Sequence, residues 1–239
     1  MLHLIKLEMK KGRMSSYVWG ALIAFAVIAG FSTLFYFVER IESISEVNVS
    51  EVGSVFESYA NMFFMNDTLV RATFIIYASV LLAKLVISEY QNKTMSLLFT
   101  YPVSRKKLIF AKLIMVAVWA FTCIIIANAL LTGYILLLNS IFGYIDEAIT
   151  IQLLGSQALN VVIQAIGAAG MSLLPLVFGL WRKSVPATVV SSILVVSIVC
   201  SNTQGFTLSS IVAIPLVLAA VGVLLAYLSF RNVDLVDVE

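Results

Sequence analysis

The residues able to do chemistry in this chain are few and badly placed for catalysis. The one histidine, His3, reads as a headgroup-region residue and excludes a Ser/His/Asp hydrolase. No HExxH run is present to hold a catalytic metal. Cys123 and Cys200 each sit in an apolar run with no second Cys or His nearby, so neither a disulfide framework nor a metal site is expected. Nor is there a Gly-x-x-x-x-Gly-Lys-Ser/Thr loop to cradle ATP phosphates. The thirteen acids fall in loops, tails or the ends of apolar runs, which argues against a carboxylate that binds a coupling ion in mid-membrane. No cofactor is expected in this chain, and no nucleic acid among its partners.

Two polar patterns remain. Gln157, Asn160 and Gln164 recur at i, i+3 and i+7 inside a long apolar run, so a helix there carries three amides on one face. That face is expected to look into the protein, either as interhelical hydrogen bonds or as the lining of a path. The second pattern is the charged island Glu89–Lys112, EYQNKTMSLLFTYPVSRKKLIFAK. Tyr90, the Thr94 methyl, Leu97, Leu98 and Tyr101 recur at helical spacing, whereas Glu89, Gln91, Asn92, Lys93 and Ser96 take other faces. Pro102 ends that amphipathic helix, and Ser104 is placed to cap a second one beginning at Arg105, Lys106 and Lys107.

The elements that must position these residues lie in a bilayer. Of 239 residues, 61% are hydrophobic and only 12% charged, and the mean hydropathy is +1.03, whereas a soluble domain is apolar over roughly half its residues. The fold expected is an all-α membrane protein, a single transmembrane domain over 1–239 with six spans at about 17–38, 68–88, 113–140, 151–180, 187–200 and 209–230. Gly167, Gly170 and Pro175 allow close packing and a bend in the fourth. Residues 1–16 read as a cytosolic interfacial helix. The acidic stretch 39–67 reads as an extracytosolic loop, with Val52, Val55, Phe56, Tyr59 and Phe63 forming an amphipathic helix on the outer surface. Arg71 and Lys84 are expected to snorkel to the two interfaces. Of fifteen Lys and Arg, all but Arg40 and Arg71 fall on one side of this topology, which puts both termini and the island in the cytosol.

Glu89, Thr94, Leu97, Leu98, Pro102, Ser104, Arg105 and Lys112 resemble the cytosolic segment between the second and third spans of ABC-2-type transporter permeases. Gln91 and Lys93 depart from the acid and glycine common there, so no role needing two carboxylates carries over. The resemblance implies that 89–112 is a coupling segment docking on a separate ABC ATPase subunit, which holds ATP and Mg. The contact is then expected to involve Glu89, Tyr90, Thr94, Leu97, Leu98, Pro102 and Arg105. It also implies a second permease subunit, as homodimer or heterodimer, surrounding membrane lipids and a multi-pass location in a cell membrane. Permeases of this length are similar to bacterial ones that expel amphiphilic antimicrobial or toxin peptides, and neutral amides in the path suit such a substrate. The alternative is a non-transporting sensor or scaffold that docks a cytosolic partner through the 89–101 helix.

Overall fold

The computed structural model describes residues 14–45, 59–88, 105–143, 150–182, 184–200, 202–203, 206–207 and 213–231. Seven helices make up almost all of this: α1 (Met14–Ser45), α2 (Tyr59–Leu82), α3 (Arg105–Phe142), α4 (Ile151–Met171), α5 (Leu174–Arg182), α6 (Val185–Val199) and α7 (Ala213–Arg231). α2 runs on without a break into a π-helical turn, Ala83–Ile87. Between α6 and α7 two short strands, β1 (Asn202–Thr203) and β2 (Phe206–Thr207), form an antiparallel ribbon. Four stretches are long and apolar enough to cross a membrane, Tyr17–Phe35, Tyr59–Ile87, Ile109–Phe142 and Ile151–Arg182, and the shorter apolar helices Val185–Val199 and Ile214–Ser229 complete the set. The all-helical, multi-span class read from the sequence therefore holds.

Span four is divided. Ser172 and Leu173 interrupt it, and Pro175, with no N–H to give to the preceding turn, opens α5. The expected close packing is there as well. A Cβ on Gly170 would stand 2.4 Å from that of Ala219, and one on Gly222 would stand 2.4 Å from the Gly170 carbonyl oxygen. α4 and α7 thus cross backbone against backbone at glycines, as membrane helices do where no solvent drives them together.

The centre of the bundle is α2 with its π turn. Val70, Ile75, Leu82, Ala83 and Ile87 are fully buried, and α3, α4, α5 and α6 all pack around this element. Its outer end overturns one expectation. Tyr59 and Phe63 do not lie on a surface helix: they begin α2 and are buried against Ile135, Leu136 and Leu153. Their helical spacing was correct, but it belongs to the span itself, because aromatic residues at a helix end bury more area between helices than on a headgroup surface. Val52, Val55 and Phe56 lie outside the described residues.

Candidate functional site

α2 and α3 form an antiparallel hairpin whose connection is the 89–104 stretch. Three polar clasps pin its stem. Near one end Asn139 Nδ2 donates to the Tyr59 hydroxyl at 2.5 Å. Further along, Asn128 Nδ2 donates to Asp67 Oδ1 at 3.2 Å. At the other end Lys112 Nζ donates to the Leu85 carbonyl at 3.1 Å, and Lys112 is only 2% exposed. The three pairs ascend on one helix as they descend on the other, so register and spacing agree along the stem.

The middle clasp belongs to a larger cluster. Arg71 is 1% exposed; its Nη1 donates to Gln164 Oε1 at 2.6 Å and stands 3.9 Å from Asp67 Oδ2. Its Nη2 makes a long 3.4 Å contact with the Thr68 hydroxyl. One turn away Asn66 Nδ2 donates to the Met62 carbonyl at 3.0 Å, and its Oδ1 accepts from Ser32 Oγ of α1. The cluster ties α1, α2, α3 and α4 together and corrects two expectations. Arg71 does not snorkel: its guanidinium is planar and forked, so it can satisfy a carboxylate and an amide on different faces without reaching water. And Asp67 does not sit at the edge of an outer loop but inside α2, where the ion pair and the Asn128 amide compensate its burial. The inference from carboxylate placement against an ion-coupled carrier loses its premise there, since one carboxylate is interior.

Lys84 is exposed, with its ammonium 5.4 Å from the Tyr17 ring centroid. The amide stripe is split. Gln164 turns inward to Arg71, Gln157 is half-buried, and Asn160 is exposed on the outer surface of the chain. Gln152 and Ser156 share that exposed face at i and i+4 before Asn160, and the sequence reading passed over them.

Around the π turn the geometry is unusual. The Ser88 N–H returns to the Ala83 carbonyl, five residues back. The Lys84 carbonyl, deprived of that N–H, accepts the Ser88 hydroxyl instead at 2.5 Å. The next carbonyl, Leu85, takes Lys112. Ile87, fully buried, packs against Gly179 of α5, where a Cβ would lie 2.9 Å from its Cδ1 and 2.2 Å from Thr188 Oγ1. Of the residues expected to contact an ATPase, Glu89, Tyr90, Thr94, Leu97, Leu98 and Pro102 lie outside the described residues. Arg105 opens α3, as the Ser104 signal anticipated. Lys112 was read only as one more inner-side cation. Its burial has no signature in the sequence beyond its place seven residues into α3.

Among the described residues no group of His, Cys, Asp and Glu could hold a metal ion. A family model, "ABC-2 family transporter protein", matches residues 4–201. An uncharacterized protein of Bacillus subtilis (strain 168), YcbO, is 42% identical over 236 residues, covering 99% of this chain and all of that protein. No solved structure matches. With a bundle of apolar helices, a basic helix start after a short connection, and a family match over most of its length, this chain belongs to the ABC-2 family of transporter membrane proteins.

Proposed function

We propose that the chain is the permease subunit of an ATP-driven exporter in a bacterial cytoplasmic membrane, with both termini and the 89–104 connection in the cytosol. A separate ABC ATPase holds ATP and Mg and docks on that connection through Glu89, Tyr90, Thr94, Leu97, Leu98, Pro102 and Arg105. A second permease chain completes the path. The observation that carries this reading is the construction of the α2/α3 hairpin: its stem is buried and pinned by polar clasps up to the last residue before the connection. A force applied to the connection would therefore reach the bundle without being lost in a slack joint.

An amphiphile such as a peptide is the substrate class that suits the surfaces on offer. Asn160, with Gln152 and Ser156, places neutral polar groups on an outward face of α4, where contact with lipid is costly and contact with a passing backbone or a second chain is not. Gln157 borders this face, and Gln164 contributes from behind by holding Arg71.

The test is Glu89→Ala in membranes containing the chain and its ATPase. A carboxylate in a charge-assisted hydrogen bond at this contact contributes about 1.5–3 kcal/mol, so transport should fall at least about tenfold while expression and ATP hydrolysis persist. Unchanged transport would refute the role, and a cytosolic partner without ATPase activity would favour a scaffold.

A further inference from the structure

The turn between α2 and the 89–104 connection has no sequence reason to leave the α-helical path. Ala83, Lys84, Leu85, Val86 and Ile87 include neither Gly nor Pro, and Leu82 before them and Ser88 after them have ordinary right-handed helical dihedrals. What distinguishes the turn is its donors. In an unbroken α-helix the Ala83, Lys84 and Leu85 carbonyls would take the N–H groups of residues 87, 88 and 89. Here they take the Ser88 N–H, the Ser88 hydroxyl and the Lys112 ammonium. Two of the three are side chains, and one comes from another helix.

We propose that Ala83–Ile87 is a two-register joint and that Lys112 is the positioning residue that holds it in the π register. Resting on the coupling role given above to 89–104, this makes the joint the place where movement of that connection becomes rotation of the bundle. A π turn accommodates one extra residue. Converting it to α turns everything on one side by about 100° and shifts it by about 1.5 Å. Lys112 decides between the registers because the Leu85 carbonyl is buried: with the ammonium present it is satisfied in the π form, and without it the α form, which offers a backbone N–H, is the better solution. Ile87 reports the register. In the π form it is fully buried against Gly179 near Thr188, so α5 and α6 sense the state of the joint directly.

The experiment uses the full chain in membranes, in a Cys123→Ala, Cys200→Ser background, with Ile87→Cys as the reporter and Ile75→Cys, fully buried farther up α2, as control. N-ethylmaleimide should react slowly with both while Lys112 is present. Lys112→Met should speed reaction at position 87 by at least about fivefold, the equivalent of roughly 1 kcal/mol, without changing position 75, and Lys112→Arg should restore protection. Unchanged labelling at 87 overturns the proposal, as does equal acceleration at both sites, which would mean general loosening. If Lys112→Met does not accumulate, Ser88→Ala removes the neighbouring side-chain donor and is read by the same criteria. In the complex with its ATPase, Lys112→Met should also lower transport per ATP by about fivefold. Faster labelling with unchanged transport per ATP leaves the two registers standing but overturns their part in coupling. Loss of the coupling reading itself would be seen separately, as full transport in Glu89→Ala.

Discussion

Arg71 Nη1 lies 2.6 Å from Gln164 Oε1, joining α2 to α4 across the interior of the bundle, with the Asp67 carboxylate on the same guanidinium. A cation this well enclosed is a commitment, since removing it leaves a carboxylate buried without its counter-charge. Arg71→Met should therefore cost about 3–5 kcal/mol and lower the melting temperature in detergent sharply, and the double replacement Asp67→Leu/Arg71→Met should recover much of the loss. Arg71→Lys keeps the charge but not the fork and should fall between. Wild-type stability in Arg71→Met would mean that the side chain reaches the interface after all.

The amides of α4 should separate in the same assay. Gln164→Leu removes an acceptor from Arg71, so it should reduce thermal stability by about 1–3 kcal/mol. Asn160→Leu removes an exposed polar group and should leave folding intact while changing which peptides are tolerated. Equal loss of assembly in both variants would assign the whole stripe to structure.

Crossing glycines give a steric test. Gly170→Val would drive methyl groups into Ala219 and should cost at least about 1–3 kcal/mol by forcing α4 and α7 apart, whereas Gly133→Ala and Gly155→Ala meet open space and should be neutral or mildly stabilising. Thermal unfolding followed by the exposure of Cys123 and Cys200 reads all three.

These outcomes bear on what the sequence could disclose. The break at Pro175, the start of α3 at Arg105 and the close-packed Gly167 and Gly170 were legible because each depends on a local rule: a missing N–H, a helix-initiating Ser, an absent Cβ. The burial of Arg71 was not legible. Its partner Gln164 is 93 residues away, and which helices are neighbours is decided by packing that a single sequence does not encode locally. The same holds for the π turn, where five ordinary helix-compatible residues are diverted by a lysine on another helix. Asp67 was placed in a loop because it ends an acidic stretch. Only the buried Tyr59 and Phe63 reveal that the helix has already begun.

Orientation is open to a direct check. Single cysteines replacing Ser104 and Ser50, in a background lacking Cys123 and Cys200, should react with an impermeant thiol reagent from opposite sides of the membrane: Ser50→Cys in intact cells, Ser104→Cys only in inverted vesicles. Labelling of both in intact cells would contradict the six-span arrangement.

The central claim, that the 89–104 connection is the contact with an ATPase, is tested most directly by a photo-crosslinking amino acid at Leu97 in cells expressing the chain with its partner at native levels. The account predicts one dominant adduct, containing a protein that binds and hydrolyses ATP, and predicts that the adduct weakens in Glu89→Ala. Adducts with lipid alone, or with a protein that does not bind ATP, would contradict it.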